Sequence, residues 1–354
     1  MPKRCVRGIL QTSPKQKRCL SYDLLRIAAA FAVVFAHTSF FVTSHIELGS
    51  VRWQAVNGAK TLTVWAVGVF IFLSGTAFLN PNKKIDFAYV SKKAARLLTA
   101  LVFWNCFYEF CILIFNGKLT GTAALLVLWN TLTGRAYYHL WFLYALTALY
   151  FLTPLFRRIL CKLNKRQTGL FILLTLLAFN IIPFFIFGIS VPSQWLFSLF
   201  YIPLYLSGYY LSAFPPGARA RKILYAAALC IVIAIPVGNY FLRHIDPKEF
   251  ILAVPNSPLV FVMSVALTVF FKERFPNERI SPKLERSIAL MRDYTFGVYL
   301  IHDFFITLFM RVIPQSLLLR YAALIELPLA VLIFGVSLAV VFCIRKIPFG
   351  KYIT

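Results

Sequence analysis

The chain has 354 residues, of which 60% are hydrophobic, 17% aromatic and only 14% charged, yet its formal net charge is +25. Soluble globular domains are about a quarter charged, and no soluble fold of this length hides so much apolar surface, so water-soluble classes are excluded. A basic surplus in a soluble protein would suggest nucleic acid, but here the distribution of the charge between apolar segments rules that out.

The chain opens on a basic tail, residues 1–22, with six lysines and arginines and no acid. Apolar runs of about 20 residues, the length that crosses ~30 Å of hydrocarbon, then fall near 24–44, 61–79, 97–116, 138–156, 168–188, 194–213, 223–242, 251–271, 294–313 and 321–344. The stretch TAALLVLWNTLT at 122–133 is too short to span and reads as an interfacial or re-entrant segment. A tail at 346–354 follows, so the expected organisation is a transmembrane domain over 23–345 between two short tails. No separate soluble domain, internal repeat or low-complexity linker is apparent. The basic tail and first run resemble a signal peptide, but an embedded arginine and histidine and the lack of a small-residue cleavage site argue against one.

Apart from Arg26, the 37 lysines and arginines sit at or beyond the ends of these spans. Alternate connections and the two tails hold 28 of them, the remaining connections eight. By the positive-inside rule this predicts an all-α integral membrane protein, a bundle of ten transmembrane helices with both termini cytoplasmic. The basic surface then meets anionic lipid headgroups, and no nucleic-acid partner is expected. Of the seven cysteines, Cys5, Cys19 and Cys161 face the cytoplasm and the others lie within spans, so neither a disulfide framework nor a metal site is expected.

The first span, SYDLLRIAAAFAVVFAH, carries the most informative residues. A charge in the bilayer costs about 2.5–3.5 kcal/mol on insertion scales and usually faces a cavity or a partner. Arg26 and His37 are eleven residues apart, three helical turns plus about 20°, so they share one face about 16 Å apart along the axis. Asp23 lies three residues before Arg26, placed to pair with it. The structural reading is that Arg26 snorkels to the interface and His37 bonds a backbone carbonyl. The functional reading is an arginine that binds a phosphate-bearing ligand from the cytoplasm and a histidine that acts as general base on a hydroxyl from the other side. A span of 16 Å suits a long donor with a charged head and a distant reactive group, which is the shape of acyl-coenzyme A.

Four motifs in order resemble the membrane acyltransferase-3 family, whose members include peptidoglycan, lipopolysaccharide and enterobacterial common antigen O-acetyltransferases. They are Arg26 with His37; Ser74-Gly75 in GVFIFLSGTAFL; HLWFLYALTALYFLTPLF (139–156) with Trp141; and FGVYLIHDFF (296–305) with His302. The resemblance covers nearly the whole chain. It implies a multi-pass enzyme of the bacterial plasma membrane that moves an acyl group, acetyl above all, from cytoplasmic acyl-CoA to a carbohydrate or glycolipid hydroxyl at the outer face. Acetyl-CoA is then a co-substrate, with no bound cofactor and no metal. The family's basic pair entering the third helix maps to Lys93 and Arg96, beside Arg26, as donor-binding residues. The lysine is a departure that loses the bidentate fork, and Asp303 after His302 is another.

Each remaining position has a structural alternative. Ser74 and Gly75, with Gly68 two turns earlier, make a small-residue stripe for close helix packing. His139 and Trp141 suit an interfacial aromatic belt or a sugar-binding mouth, and His302 and Asp303 a cavity lining or a structural bond. Glu109 is an embedded carboxylate without a specific role, and His45 and His244 read as outer-loop residues. No GxSxG elbow, Walker A loop, HExxH or EF-hand set is present. A secondary transporter or flippase is the competing class, which prolines within spans (Pro183, Pro203, Pro236) would suit. The histidine could act as a base or form a covalent acyl-histidine.

Overall fold

The computed structural model describes residues 19–115, 123–133, 137–186, 194–242, 252, 254 and 257–354. Most of the basic tail, with Cys5, and also His244 lie outside the described residues. Within them the chain is all helical, with no strand. That follows from the solvent: in hydrocarbon each backbone donor and acceptor must be satisfied within its own segment.

The helices are α1 (Leu20–Thr43), α2 (Val51–Thr61), α3 (Ala66–Phe78), α4 (Phe87–Phe115), α5 (Ala123–Thr133), α6 (Trp141–Leu160), α7 (Lys165–Leu176), α8 (Ile182–Ile186), α9 (Phe197–Ala213), α10 (Ala218–Leu242), α11 (Pro258–Arg274), α12 (Pro282–Arg292), α13 (Thr295–Val312), α14 (Gln315–Ile344) and α15 (Gly350–Ile353). Each of the ten predicted spans overlaps helix among the described residues. Eight segments are long and apolar enough to cross a membrane by length and composition, which makes this a multi-pass membrane protein. The predicted sixth and eighth spans fall on α9 and α11, each 17 residues long. The fifth is α7 and α8 joined by a π-helical turn, Leu177–Ile181, with Pro183 in the first turn of α8. Within the short stretch at 122–133, residues 123–133 form α5, eleven residues long, lying against α4.

The main core draws on α1, α3, α4, α6, α9, α13 and α14. In α7 and α10 only 22% and 17% of the apolar window is buried, which puts these two at the periphery, where a lipid-facing helix needs no protein neighbour. The tightest contact joins α3 to α9. A Cβ on Gly75 would collide with the Tyr205 backbone carbonyl, and one on Gly208 with the Phe72 carbonyl, so only glycine lets the two backbones approach this closely. Thr76 adds a hydrogen bond of 3.0 Å to the Gly208 carbonyl.

After α14 the chain reverses at Phe349, whose φ of 69° is left-handed. Segment 346–354, expected as a tail, folds back on α4: Trp104 Nε1 donates to the Ile353 carbonyl at 2.7 Å, and Thr354 is fully buried.

Candidate active site

Helix α1 carries functional groups at two levels about 16 Å apart, eleven residues at 1.5 Å each. Around the lower level, beside Arg26, lies a cavity of about 380 Å³, within the usual range for small-molecule and cofactor sites. Its lining is graded. Arg26, Lys93, Arg96, Arg292 and Arg345 form the basic end against one acid, Asp293. Farther along α3, α6 and α13 the wall becomes Phe70, Leu146, Phe142 and Tyr299. The three predicted donor-binding residues therefore meet in one cavity, and Ser74 shares its wall.

The cations are held in place. Asp23, 5% exposed, accepts from Arg26 Nη1 on one oxygen and from Arg292 Nη1 on the other, each at 3.2 Å. The predicted Asp23–Arg26 pair is therefore formed, with a second arginine bound to the same carboxylate. Arg96 donates Nη2 to the Thr354 carbonyl at 2.7 Å, while its Nε is buried with no hydrogen-bond partner. Arg345 donates to the Asp293 carbonyl. The Ser74 hydroxyl bonds the Phe70 carbonyl at 2.8 Å, so it caps its own helix turn, and Gly75 serves packing.

The upper level gathers three of the chain's five histidines. Ring centroids are 4.9 Å apart for His37–His302, 5.3 Å for His139–His302 and 6.1 Å for His37–His139. His139 and His302 are buried at 1% and 0% exposure, whereas His37 is half-buried. The His37 Nδ1 lies 3.2 Å from the Tyr138 hydroxyl, and that hydroxyl donates to Asp303. His302 donates Nδ1–H to the Tyr299 carbonyl at 2.7 Å, which leaves its Nε2 buried and unbonded. Asp303 Oδ2 and both ring nitrogens of His139 also lack hydrogen bonds of ordinary geometry. Buried polar groups are normally paired. Polar atoms of this kind gathered in one place suit contact with a polar ligand.

Tyr299 belongs to both levels. It lines the cavity, and its hydroxyl donates to the His139 backbone carbonyl. The histidine cluster thus starts where the cavity ends, but His37 itself does not line the cavity. Trp141, expected beside His139, stacks instead on Tyr201 at 5.6 Å. Glu109 is half-buried on α4, next to Tyr108, whose ring stacks on Tyr137 at 4.3 Å. His45 bonds the Phe41 carbonyl at the end of α1, 2.9 Å away. Among the described residues no group of three or more His, Cys, Asp or Glu is arranged to hold a metal ion.

Arg292, Arg345 and Tyr138 were not predicted. The two arginines flank spans in segments whose positive charge the topology already explains, and Tyr138 is one tyrosine among the chain's 17. Their signal was proximity in sequence to a motif: Arg292 four residues before FGVYLIHDFF, Tyr138 one before HLWFLY.

The basic end of this cavity complements a polyanion by charge, its other end is apolar and aromatic, and the histidine cluster lies beyond. No curated protein and no solved structure matches the chain, so no individual relative is marked out as its counterpart. Residues 20–346 match the acyltransferase-3 family model, described as an acyltransferase domain. The chain therefore belongs to the acyltransferase-3 family of membrane acyltransferases.

Proposed function

We propose that this acyltransferase takes an acetyl group from cytoplasmic acetyl-CoA and transfers it to a carbohydrate or glycolipid hydroxyl at the outer face of a bacterial plasma membrane. The observation that carries this reading is the graded cavity. Five basic side chains at one end suit the phosphates of coenzyme A, and the aromatic end suits its pantetheine arm. In the mechanism, His37 Nε2 takes the acceptor hydroxyl proton as the oxygen bonds to the thioester carbonyl carbon. The C–S bond then breaks, and the thiolate leaves with the proton that His37 returns. Base catalysis of this kind contributes about 10²–10⁴-fold. His139 and His302, with unbonded nitrogens, supply polar contacts to the acceptor, and Trp141 lines its approach.

The topology in this reading is ten helices with both ends inside, α9 and α11 included. Reporter fusions after residue 354 and in the 117–137 connection should report opposite sides. For the activity, sealed inside-out vesicles given [¹⁴C]acetyl-CoA outside should accumulate label in a lumenal carbohydrate fraction, and a strain lacking the gene should not. Label that enters only as intact donor, with no acetylated product, would assign the chain to transport instead.

A further inference from the structure

We propose that Tyr138 and Asp303 act as positioning residues behind His37, fixing its tautomer and stabilising its imidazolium; the inference rests on His37 being the base. Asp303 is fully buried, and as a carboxylate its Oδ1 can only accept. The hydrogen bond from Tyr138 to it uses the one proton that the phenol owns. The Tyr138 oxygen, 3.2 Å from His37 Nδ1, is left with lone pairs alone. It must accept there, so His37 carries its proton on Nδ1 and keeps the free lone pair on Nε2. That is the form a base needs if Nε2 is to meet the acceptor.

The rings reinforce the choice. His37 and Tyr138 stack at 5.6 Å with planes 24° apart, which limits rotation of the imidazole about its own bond. Tyr138 is 43% exposed and His37 half-buried, so the pair sits at the edge of the buried layer. Asp303 sits beneath in the buried layer with His302. When the acceptor proton arrives on Nε2, the new positive charge faces the Tyr138 oxygen and, through it, the carboxylate. No proton leaves Nδ1 or the phenol during transfer; the one on Nε2 departs with the coenzyme A thiolate. Asp303 Oδ2 has no hydrogen bond of ordinary geometry, and the Tyr137 hydroxyl is a second polar group facing the carboxylate. The logic is that of a serine-protease aspartate orienting its histidine, with a phenol inserted between the two.

Two variants test it in purified, detergent-solubilised protein, with [¹⁴C]acetyl-CoA as donor and the glycolipid extract of a gene-deleted strain as acceptor. Tyr138→Phe removes the bridge, while Asp303→Asn keeps size and an acceptor oxygen but removes charge. Each should lower kcat about 10–100-fold, the usual cost of losing an orienting partner, with KM for acetyl-CoA and calorimetric CoA affinity within about twofold. Nitrogen NMR of [¹⁵N]histidine-labelled protein, with His37 assigned by its loss in His37→Gln, should show the Nδ1–H tautomer in the native chain and a mixture in Tyr138→Phe. Near-native kcat and an unchanged tautomer in both variants, with His37→Gln inactive, would overturn the relay and leave the base reading standing. Loss of CoA affinity together with activity in both would assign the pair a structural role and overturn it equally. An active His37→Gln would instead sink the base reading itself, and the relay with it.

Discussion

Tyr299 donates its hydroxyl to the backbone carbonyl of His139, and this one bond ties the wall of the basic cavity to the floor of the histidine cluster. Both groups are buried, at 4% exposure for Tyr299 and 1% for His139, so neither can turn to water. Tyr299→Phe would leave the carbonyl without this donor, at a cost of about 1–3 kcal/mol. Thermal unfolding in detergent should shift down by a few degrees, and CoA affinity should be nearly unchanged, since the hydroxyl points away from the arginines.

Arg26 shares Asp23 with Arg292, and it lines the cavity half-exposed. Arg26→Ala removes a charge-assisted contact worth about 1.5–3 kcal/mol, so CoA binding by calorimetry should weaken by about tenfold or more. Asp23→Ala should also weaken it, by freeing two guanidinium groups that the carboxylate now aims. Unchanged affinity in both variants would show that the phosphates bind elsewhere.

His37→Ala should abolish acetyl transfer while leaving protein level and CoA binding intact. His37→Gln keeps a polar group of similar reach without basicity and should be nearly as inactive, a loss of about 10²-fold or more. Retention of most activity by the glutamine variant would reduce the histidine to a hydrogen-bonder. Mass spectrometry after acetyl-CoA alone should find no acetyl group on His37, as direct transfer requires; a stable acetyl adduct there would favour the covalent route.

At Gly75 the added methyl of an alanine would strike the Tyr205 carbonyl, a backbone atom that cannot rotate aside. Gly75→Ala should therefore cost about 3 kcal/mol, the upper end for overpacking, seen as a lower melting temperature or loss of monodisperse protein. Gly58→Ala, where no atom lies near the added methyl, is the control and should leave both unchanged.

Much of this was legible in the sequence because a bilayer narrows the options. Apolar length gave the positions of the helices, and the same length gave the one ambiguity: α9 and α11, at 17 residues, fall short of an untilted crossing of about 20. Arg26 and His37 stood out because charge within an apolar run is costly and helical spacing fixes their shared face. Arg292 and Arg345 could not stand out, since a topogenic arginine and a ligand-binding one look alike in sequence. His139 reads as a surface-mouth residue from its position at the start of its span. Only tertiary packing shows that His139 turns inward to meet His302, 163 residues away in the chain, a pairing no local pattern encodes.

The buried layer of Tyr299, His139 and His302 has one more consequence. An enzyme that meets one reactant on each side of a bilayer is also a place where the membrane could short-circuit. Here the cavity stops at Phe142 and Tyr299, and the rings beyond are packed at 0–4% exposure, so stacked side chains insulate His37 from the basic end. In the proposed reaction, the pantetheine arm passes only by taking the place of those rings. It would then plug the opening that it makes, so that acyl transfer would not spend the cell's proton gradient.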